Sequence, residues 1–268
     1  MRGELPRTDG RGTPRLIRIA AVGDIHVGRD SQAFTRPALE RLAEHADLLL
    51  IAGDLTQHGH VAEGAALADE LRSAGVPIVA VLGNHDYHRG EQDAIRKELE
   101  RNGVSVLEGE SVVLSIHGVR VGVAGVKGFG GGFAGACGSE FGETEMKSFI
   151  SHSRVAAEKL KLALLGLSCD LKIALTHYAP VKGTLAGERL EIYPFLGSYF
   201  LGETIDSEQC AVAFHGHAHA GSERAVTSTG IPVRNVARPV IKLAYKVYTL
   251  NPTLLDEQPV QSTANAPG

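Results

Sequence analysis

The tetrapeptide Gly83-Asn84-His85-Asp86 follows directly on the apolar run of residues 77–82. A buried strand that stops on an amide, an imidazole and a carboxylate delivers three metal-binding or acid–base groups to one point. The same arrangement recurs four times, each time at the end of an apolar run. Residues 16–22 lead into Gly23-Asp24-Ile25-His26, and residues 47–52 into Gly53-Asp54. Residues 172–176 lead into His177, and residues 211–214 into His215-Gly216-His217-Ala218-His219. In open α/β sheets, ligands gather outside the carboxyl ends of the strands. Five such ends can therefore converge on one site. Asp24 and His26 are two residues apart, as are His217 and His219, so an extended backbone would project each pair to one side.

The first half of the chain predicts a β-α-β-α-β order. Strands over 16–22, 48–52 and 77–82 alternate with helices over 35–46 and 61–74, where apolar residues recur at helical spacing. That order implies right-handed crossovers and a parallel sheet. A charged amphipathic helix over 93–101 follows. Short strands are then expected over 104–107, 112–116 and 119–124, with Ile116-His117-Gly118-Val119 as a tight hairpin turn. The Gly-rich stretch 128–138 precedes a long helix over 144–167. It is a lid over the site or an ordinary loop; it is not a phosphate-binding P-loop, because no Lys-Ser/Thr follows it. Strands over 171–176 and 211–214 carry the late polar groups. A segment with Tyr193, Pro194, Phe195, Tyr199 and Phe200 is expected at the site rim, and Tyr178 at the rim or just behind the ligands. Residues 225–236 and 240–250 read as closing antiparallel strands. Residues 1–15 and 251–268 read as terminal tails on a single domain over 16–250.

Composition sets the outer bounds. With 268 residues, 43% hydrophobic and 22% charged, the chain suits a soluble protein with a substantial core. A net charge of -4 offers no global basic field for nucleic acid. Attraction for an anionic substrate must then be local, as bound cations make it. Cys137, Cys169 and Cys210 are too few and too scattered for a disulfide framework. With no visible secretory signal and no membrane-spanning run, they point to the cytoplasm. The oligomeric state is left open.

Taken together, Asp24-x-His26, Gly53-Asp54, Gly83-Asn84-His85-Asp86, the isolated His177 and Gly216-His217-x-His219 resemble the calcineurin-like metallophosphoesterases, whose motifs occur in this order. The resemblance implies a four-layer α-β-β-α sandwich of two mixed sheets. It also implies a centre of two divalent or mixed-valence transition-metal ions, with Mn, Fe, Zn and Co all suited to the donor set. Asp24, His26 and His219 would bind one ion, Asn84, His177 and His217 the other, and Asp54 would bridge them. A carboxylate has lone pairs enough for that.

The implied activity is hydrolysis of a small anionic phosphoester, in particular a phosphodiester such as a cyclic nucleotide, by a metal-bridging hydroxide. In layout the chain is most similar to the class III cyclic-nucleotide phosphodiesterases and related bacterial phosphodiesterases. Two divalent ions, less two carboxylates and a hydroxide, leave roughly one positive charge for the substrate. A monoesterase or nucleotidase of the same fold is the alternative, and a non-catalytic scaffold a further one. His85 would donate a proton to the leaving oxygen, since imidazoles titrate near neutrality. Asp86 would orient His85 and stabilise its protonated form.

Other polar residues get plainer readings. His215-Gly216-His217-Ala218-His219 could hold zinc alone, but Asp24 and Asp54 would then be unexplained. His215 is expected to be buried behind the ligands. His58, His60 and His88 read as solvated residues beside the site, with substrate contact as the alternative. Arg89 and Lys127 read as solvated surface charges, with contact to a phosphate or base as the alternative, and His45, His117 and His152 carry no ligand context.

Overall fold

The structure, a computed structural model, describes residues 16–28 and 36–252. The expected N-terminal tail, and all but residues 251–252 of the C-terminal one, lie outside the described residues. In the first half, β1 (Ile17–Val22), β2 (Leu48–Ala52), β3 (Ile78–Val81) and β4 (Val104–Leu107) are joined by helices. These are the short α1 (Arg36–Glu40) and α2 (Leu42–His45), then α3 (Val61–Leu71) and α4 (Gln92–Arg101). The single helix expected over 35–46 is thus broken at Arg41.

The second half adds β5 (Glu110–Ile116), β6 (Val119–Val126), β7 (Gly132–Phe133), β8 (Ala136–Cys137), α5 (Thr144–Leu165) and β9 (Leu171–Thr176). It continues with α6 (Tyr193–Leu196), α7 (Tyr199–Ser207), β10 (Val212–His215), β11 (Arg224–Val226), β12 (Pro232–Asn235), α8 (Arg238–Ile241) and β13 (Lys246–Leu250).

Two mixed sheets result, ordered β13-β1-β2-β3-β4 and β11-β12-β10-β9-β6-β5. Strands β1 to β4 are parallel, and β13 closes that edge antiparallel to β1. In the second sheet, β6, β9, β10 and β12 are parallel, with antiparallel β5 and β11 at its edges.

Alternation along the strands builds the layers. Ile17, Ile19 and Ala21 of β1 and Leu48, Leu50 and Ala52 of β2 face Val121, Val123, Ile173, Leu175 and Phe214 of the other sheet, forming the core between sheets. The intervening Ala20, Val22, Leu49 and Ile51 pack outward on Leu67, Leu71, Ile95 and Leu99 of α3 and α4. On the far side, Ala124, Val126, Ala174 and Ala213 meet Leu160 and Leu164 of α5 and Leu201 and Ile205 of α7. Helix, sheet, sheet and helix are the four expected layers. Strand β2, covered on both faces, is buried throughout and carries no alternation in its sequence.

Two expectations for the C-terminal part are corrected. Residues 225–236 form a hairpin of β11 and β12 rather than one strand, turning through Gly230 at φ 92°. Residues 240–250 hold the end of α8 before β13, the only strand there. The hairpin at Ile116-His117-Gly118-Val119 is observed, with φ of 53° and 85° at its central residues, as a type I′ turn requires. No helix among the described residues is long and apolar enough to cross a membrane.

Candidate metal centre

Strands β1, β2 and β3 of one sheet and β9 and β10 of the other end at the same edge of the sandwich. Their carboxyl-terminal loops bring Asp24, His26 and His219 together as one group and Asp54, His177 and His217 as another. Within each group the ligand-type atoms lie within 4.8 Å of one another. Asp54 connects the groups: one oxygen lies 3.4 Å from His177 Nε2 and the other 3.7 Å from His26 Nε2. Asn84 joins at its Oδ1, 2.9 Å from His177 Nε2. All seven residues expected as ligands therefore meet in one place.

The loops achieve this through sharp turns rather than extended chain. Asp24, His26, Asp54 and His217 all have left-handed backbone, with φ of 57°, 51°, 51° and 69°. The extended backbone expected to project Asp24 with His26, and His217 with His219, is not formed. Left-handed backbone at a non-glycine residue costs on the order of 1–3 kcal/mol. The strain is offset by hydrogen bonds that lace the 23–27 and 53–57 loops together. Asp24 N donates to Gly53 O at 2.9 Å, His26 N to Asp54 O at 3.0 Å and Val27 N to Leu55 O at 2.9 Å.

The motif glycines make room for this crowding. A Cβ on Gly53, itself at φ 82°, would lie 2.5 Å from His177 Nδ1. A Cβ on Gly83 would overlap the backbone nitrogen and carboxylate of Asp54.

The donor set fits divalent transition ions. His177 Nδ1 is 2.9 Å from Ala52 O and donates there, so in a neutral ring the lone pair of Nε2 is directed at Asn84 Oδ1. Asp24, His217 and His177 are buried or half-buried. Burial, reinforced by neighbouring His177, pushes His217 down to about 3, so its ring is a neutral lone-pair donor. Burial would raise the Asp24 carboxyl, yet the His219 hydrogen bond at 2.8 Å and nearby imidazoles hold it below its ordinary value. The same bond raises His219 against its own desolvation. Carboxylate, amide and imidazole at such spacing could hold a divalent cation.

His85 stands at this cluster, its Nε2 3.9 Å from Asp54 and its ring 4.4 Å from that of His26. Its Nδ1 faces Gln57 O at 2.9 Å. Here the structure corrects the expectation for Asp86. That carboxylate points inward, accepting from Leu55 N, Thr56 N, Thr56 Oγ1 and Gly83 N at 3.2, 2.8, 2.6 and 2.8 Å. Asp86 ties the loop after β2 to the loop after β3, and the Gln57 carbonyl orients His85. Asp86 is fully buried because the chain after Asn84 turns into a 3-10 turn that directs it at the neighbouring loop.

Among the other expectations, His215 is buried behind the site, with Nε2 2.9 Å from Thr184 Oγ1. Burial pushes it down to about 4. His58 contacts Glu63 at 3.1 Å, and Arg89 lies 3.6 Å from Glu91 on the surface. Tyr178 stacks 4.3 Å from the His217 ring, and Phe195 O lies 3.2 Å from His217 Nε2, so both belong to the rim. The 128–138 stretch forms the β7–β8 hairpin, held where Gly131 N donates to Pro194 O and Gly132 N to Gly197 O. Lys127 is no solvated charge: only 8% exposed, it lies among Tyr87, Phe129 and Tyr178. The rule that marked the ligands, a polar residue ending an apolar run, also marks Lys127 after β6.

Comparison with known proteins agrees with this geometry. The family profile described as Calcineurin-like phosphoesterase matches residues 17–221. A probable cyclic nucleotide phosphodiesterase of Synechococcus is 33% identical over 88 residues, 29% of this chain and 34% of that protein. The DNA double-strand break repair protein Mre11 of Methanopyrus kandleri is 37% identical over 89 residues, 27% of this chain and 20% of its own length. These matches span well under half of the curated relatives. The phosphopantetheinyl hydrolase of Mycobacterium tuberculosis shares the fold, with a TM-score of 0.64 at 14% identity over 93% of this chain and 98% of that one. With a matching profile over well over half of its length, the chain belongs to the calcineurin-like phosphoesterase family.

Proposed function

We propose that the chain is a binuclear metal-dependent phosphoric ester hydrolase acting on a small phosphodiester, with a cyclic nucleotide as the leading substrate class. The observation that carries this reading is the position of Asp54, whose two oxygens face His177 on one side and His26 on the other. When bound, two divalent ions would acidify water and neutralise phosphoryl oxygens. Asp24, His26 and His219 would hold one, Asn84, His177 and His217 the other, with Asp54 shared.

The chain's own groups complete the chemistry. His85, its Nδ1–H committed to the Gln57 carbonyl, keeps Nε2 at the mouth of the cluster, where it donates a proton to the departing oxygen. Asp86 keeps Asn84 and His85 in register with Asp54 by bracing the two loops. The partial match to a cyclic nucleotide phosphodiesterase and the absence of a global basic field support a small diester over a polynucleotide. Three unpaired cysteines support a cytoplasmic placement.

A turnover panel on Mn-reconstituted protein tests the reading, using cyclic nucleotides, bis-p-nitrophenyl phosphate, p-nitrophenyl phosphate and a short oligonucleotide. Small diesters are expected to turn over faster than the monoester and the oligonucleotide. A strong monoester preference would overturn the diesterase placement, and preference for the oligonucleotide would replace the small substrate with nucleic acid.

A further inference from the structure

Lys127 is placed where an ammonium group needs a reason. It follows β6 at the same edge of the sandwich as the metal-site loops, and its carbonyl accepts from the backbone nitrogens of both His177 and Tyr178 at 3.0 Å. Its side chain turns into a cage of three rings. Nζ lies 5.0, 5.1 and 5.2 Å from the ring centroids of Tyr87, Phe129 and Tyr178. These distances are within the roughly 6 Å over which ring faces attract a cation.

The cage is itself part of the site. Tyr87 follows Asp86, and the Tyr178 ring packs 5.6 Å from that of its neighbour His177 and 4.3 Å from that of His217.

The ammonium is poorly compensated. Its hydrogen bond among the described residues is a long one, 3.3 Å to Gly128 O, although the group has three donors. Glu108, the acid acting on it most strongly, spends its side chain on the Lys127 backbone nitrogen at 3.0 Å and lies 3.9 Å from Lys159. Burial lowers the Lys127 pKa, whereas the fields of Glu108 and Asp54 raise it. The Tyr178 ring of the cage packs 4.3 Å from the His217 ring, which places this charge beside the metal cluster.

We infer that Lys127 is a specificity-determining residue whose positive charge, held by the aromatic cage, lets the site also bind phosphate groups bearing two negative charges, beside the diester monoanions it prefers. The inference rests on the proposed metal site and deepens it. The two ions and their anionic ligands leave roughly one positive charge, suited to a diester monoanion. Lys127 supplies a second unit in a low-dielectric surrounding, where a charge interaction is several times stronger than in water. A monoester or terminal phosphate, carrying close to two charges above its second pKa of about 6, gains most from it.

The test compares the wild type with Lys127→Met, both loaded with Mn and assayed at pH 8. Two binding probes are titrated calorimetrically: inorganic phosphate, largely a dianion, and dimethyl phosphate, a monoanion. Metal content is expected to be unchanged. The Kd for phosphate is expected to rise about tenfold and that for dimethyl phosphate less than about threefold. The kcat/KM ratio of p-nitrophenyl phosphate to bis-p-nitrophenyl phosphate should fall in parallel.

Equal losses for both probes, or no loss, would overturn the inference, because a packing role does not sort ligands by charge. Lys127→Gln gives the same comparison if the Met variant fails to fold, and Lys127→Arg should restore the dianion preference. Failure of the wild type to hydrolyse any ester would defeat the hydrolase reading. The binding ratio would still decide the role of Lys127, and wild-type protein that binds neither anion would overturn both.

Discussion

His177 Nε2 and Asn84 Oδ1 face each other at 2.9 Å while His177 Nδ1 donates to the Ala52 carbonyl, so a neutral His177 ring sets acceptor against acceptor. Two lone pairs directed at one point are relieved by a cation between them. Asn84→Ala removes one of the two. Metal titration of that variant should show one ion bound about 10- to 100-fold more weakly, with the other retained. Unchanged affinity for both ions would remove Asn84 from the ligand set.

His85→Ala separates an acid from a ligand. As an acid, His85 matters only when the leaving oxygen needs a proton. Both ions should stay bound and nitrophenolate release should be little affected. Ring opening of a cyclic nucleotide, which expels an alkoxide, should slow by about 10²–10⁴-fold. Equal losses on both substrates would assign His85 to positioning the phosphoryl group. Loss of metal would make it a ligand, as its place beside His26 and Asp54 permits.

Asp86→Asn puts an amide where four donors converge from Leu55, Thr56 and Gly83. At least one donor then meets the NH2 group or loses its partner. The expected cost is on the order of 1–3 kcal/mol of stability, seen as a lower Tm. Rate losses should not depend on the leaving group. A leaving-group dependence like that of His85→Ala would restore Asp86 as an electrostatic partner of that ring.

Away from the site, Asp47 fastens the start of β2 to β1. Burial would raise its carboxyl, but it stays below its ordinary range because Arg18 donates from backbone and side chain and His117 lies 3.1 Å away. A depressed folded pKa contributes stability that is fully present above the unfolded value of about 4 and is lost as pH falls through the folded one. Denaturant midpoints of wild type and Asp47→Asn should differ at pH 7 and draw together as pH falls from about 4 through the lowered folded pKa. A constant gap across that range would remove the ion pair as the cause.

Much of this was legible from strand ends. Ile17, Ile19 and Ala21 alternate with Ala20 and Val22, and the first polar residues after β1, β2 and β3, namely Asp24, Asp54 and Asn84, lie at the site, as does His177 after β9. What was not legible depends on contacts between distant segments. The parallel pairing of β12 with β10 joins Val233 to Ala213, and no local pattern encodes it. Thr227 to Gly230, by contrast, carried a turn signal that a continuous strand reading passed over. Asp86 misled because sequence adjacency to His85 suggests a pair, whereas the 3-10 turn sends the two side chains apart. Lys127 obeys the strand-end rule, but its burial is not legible in the sequence, because its cage is assembled from loops after three different strands.

The central claim is that one carboxylate, Asp54, serves two ions. Metal content per chain after Mn reconstitution and desalting, compared between the wild type and Asp54→Asn, tests it most directly. The wild type should retain about two ions, as the proposed two-metal site requires. Asp54→Asn should lose affinity for both together. Two ions held at wild-type affinity in Asp54→Asn would contradict the account.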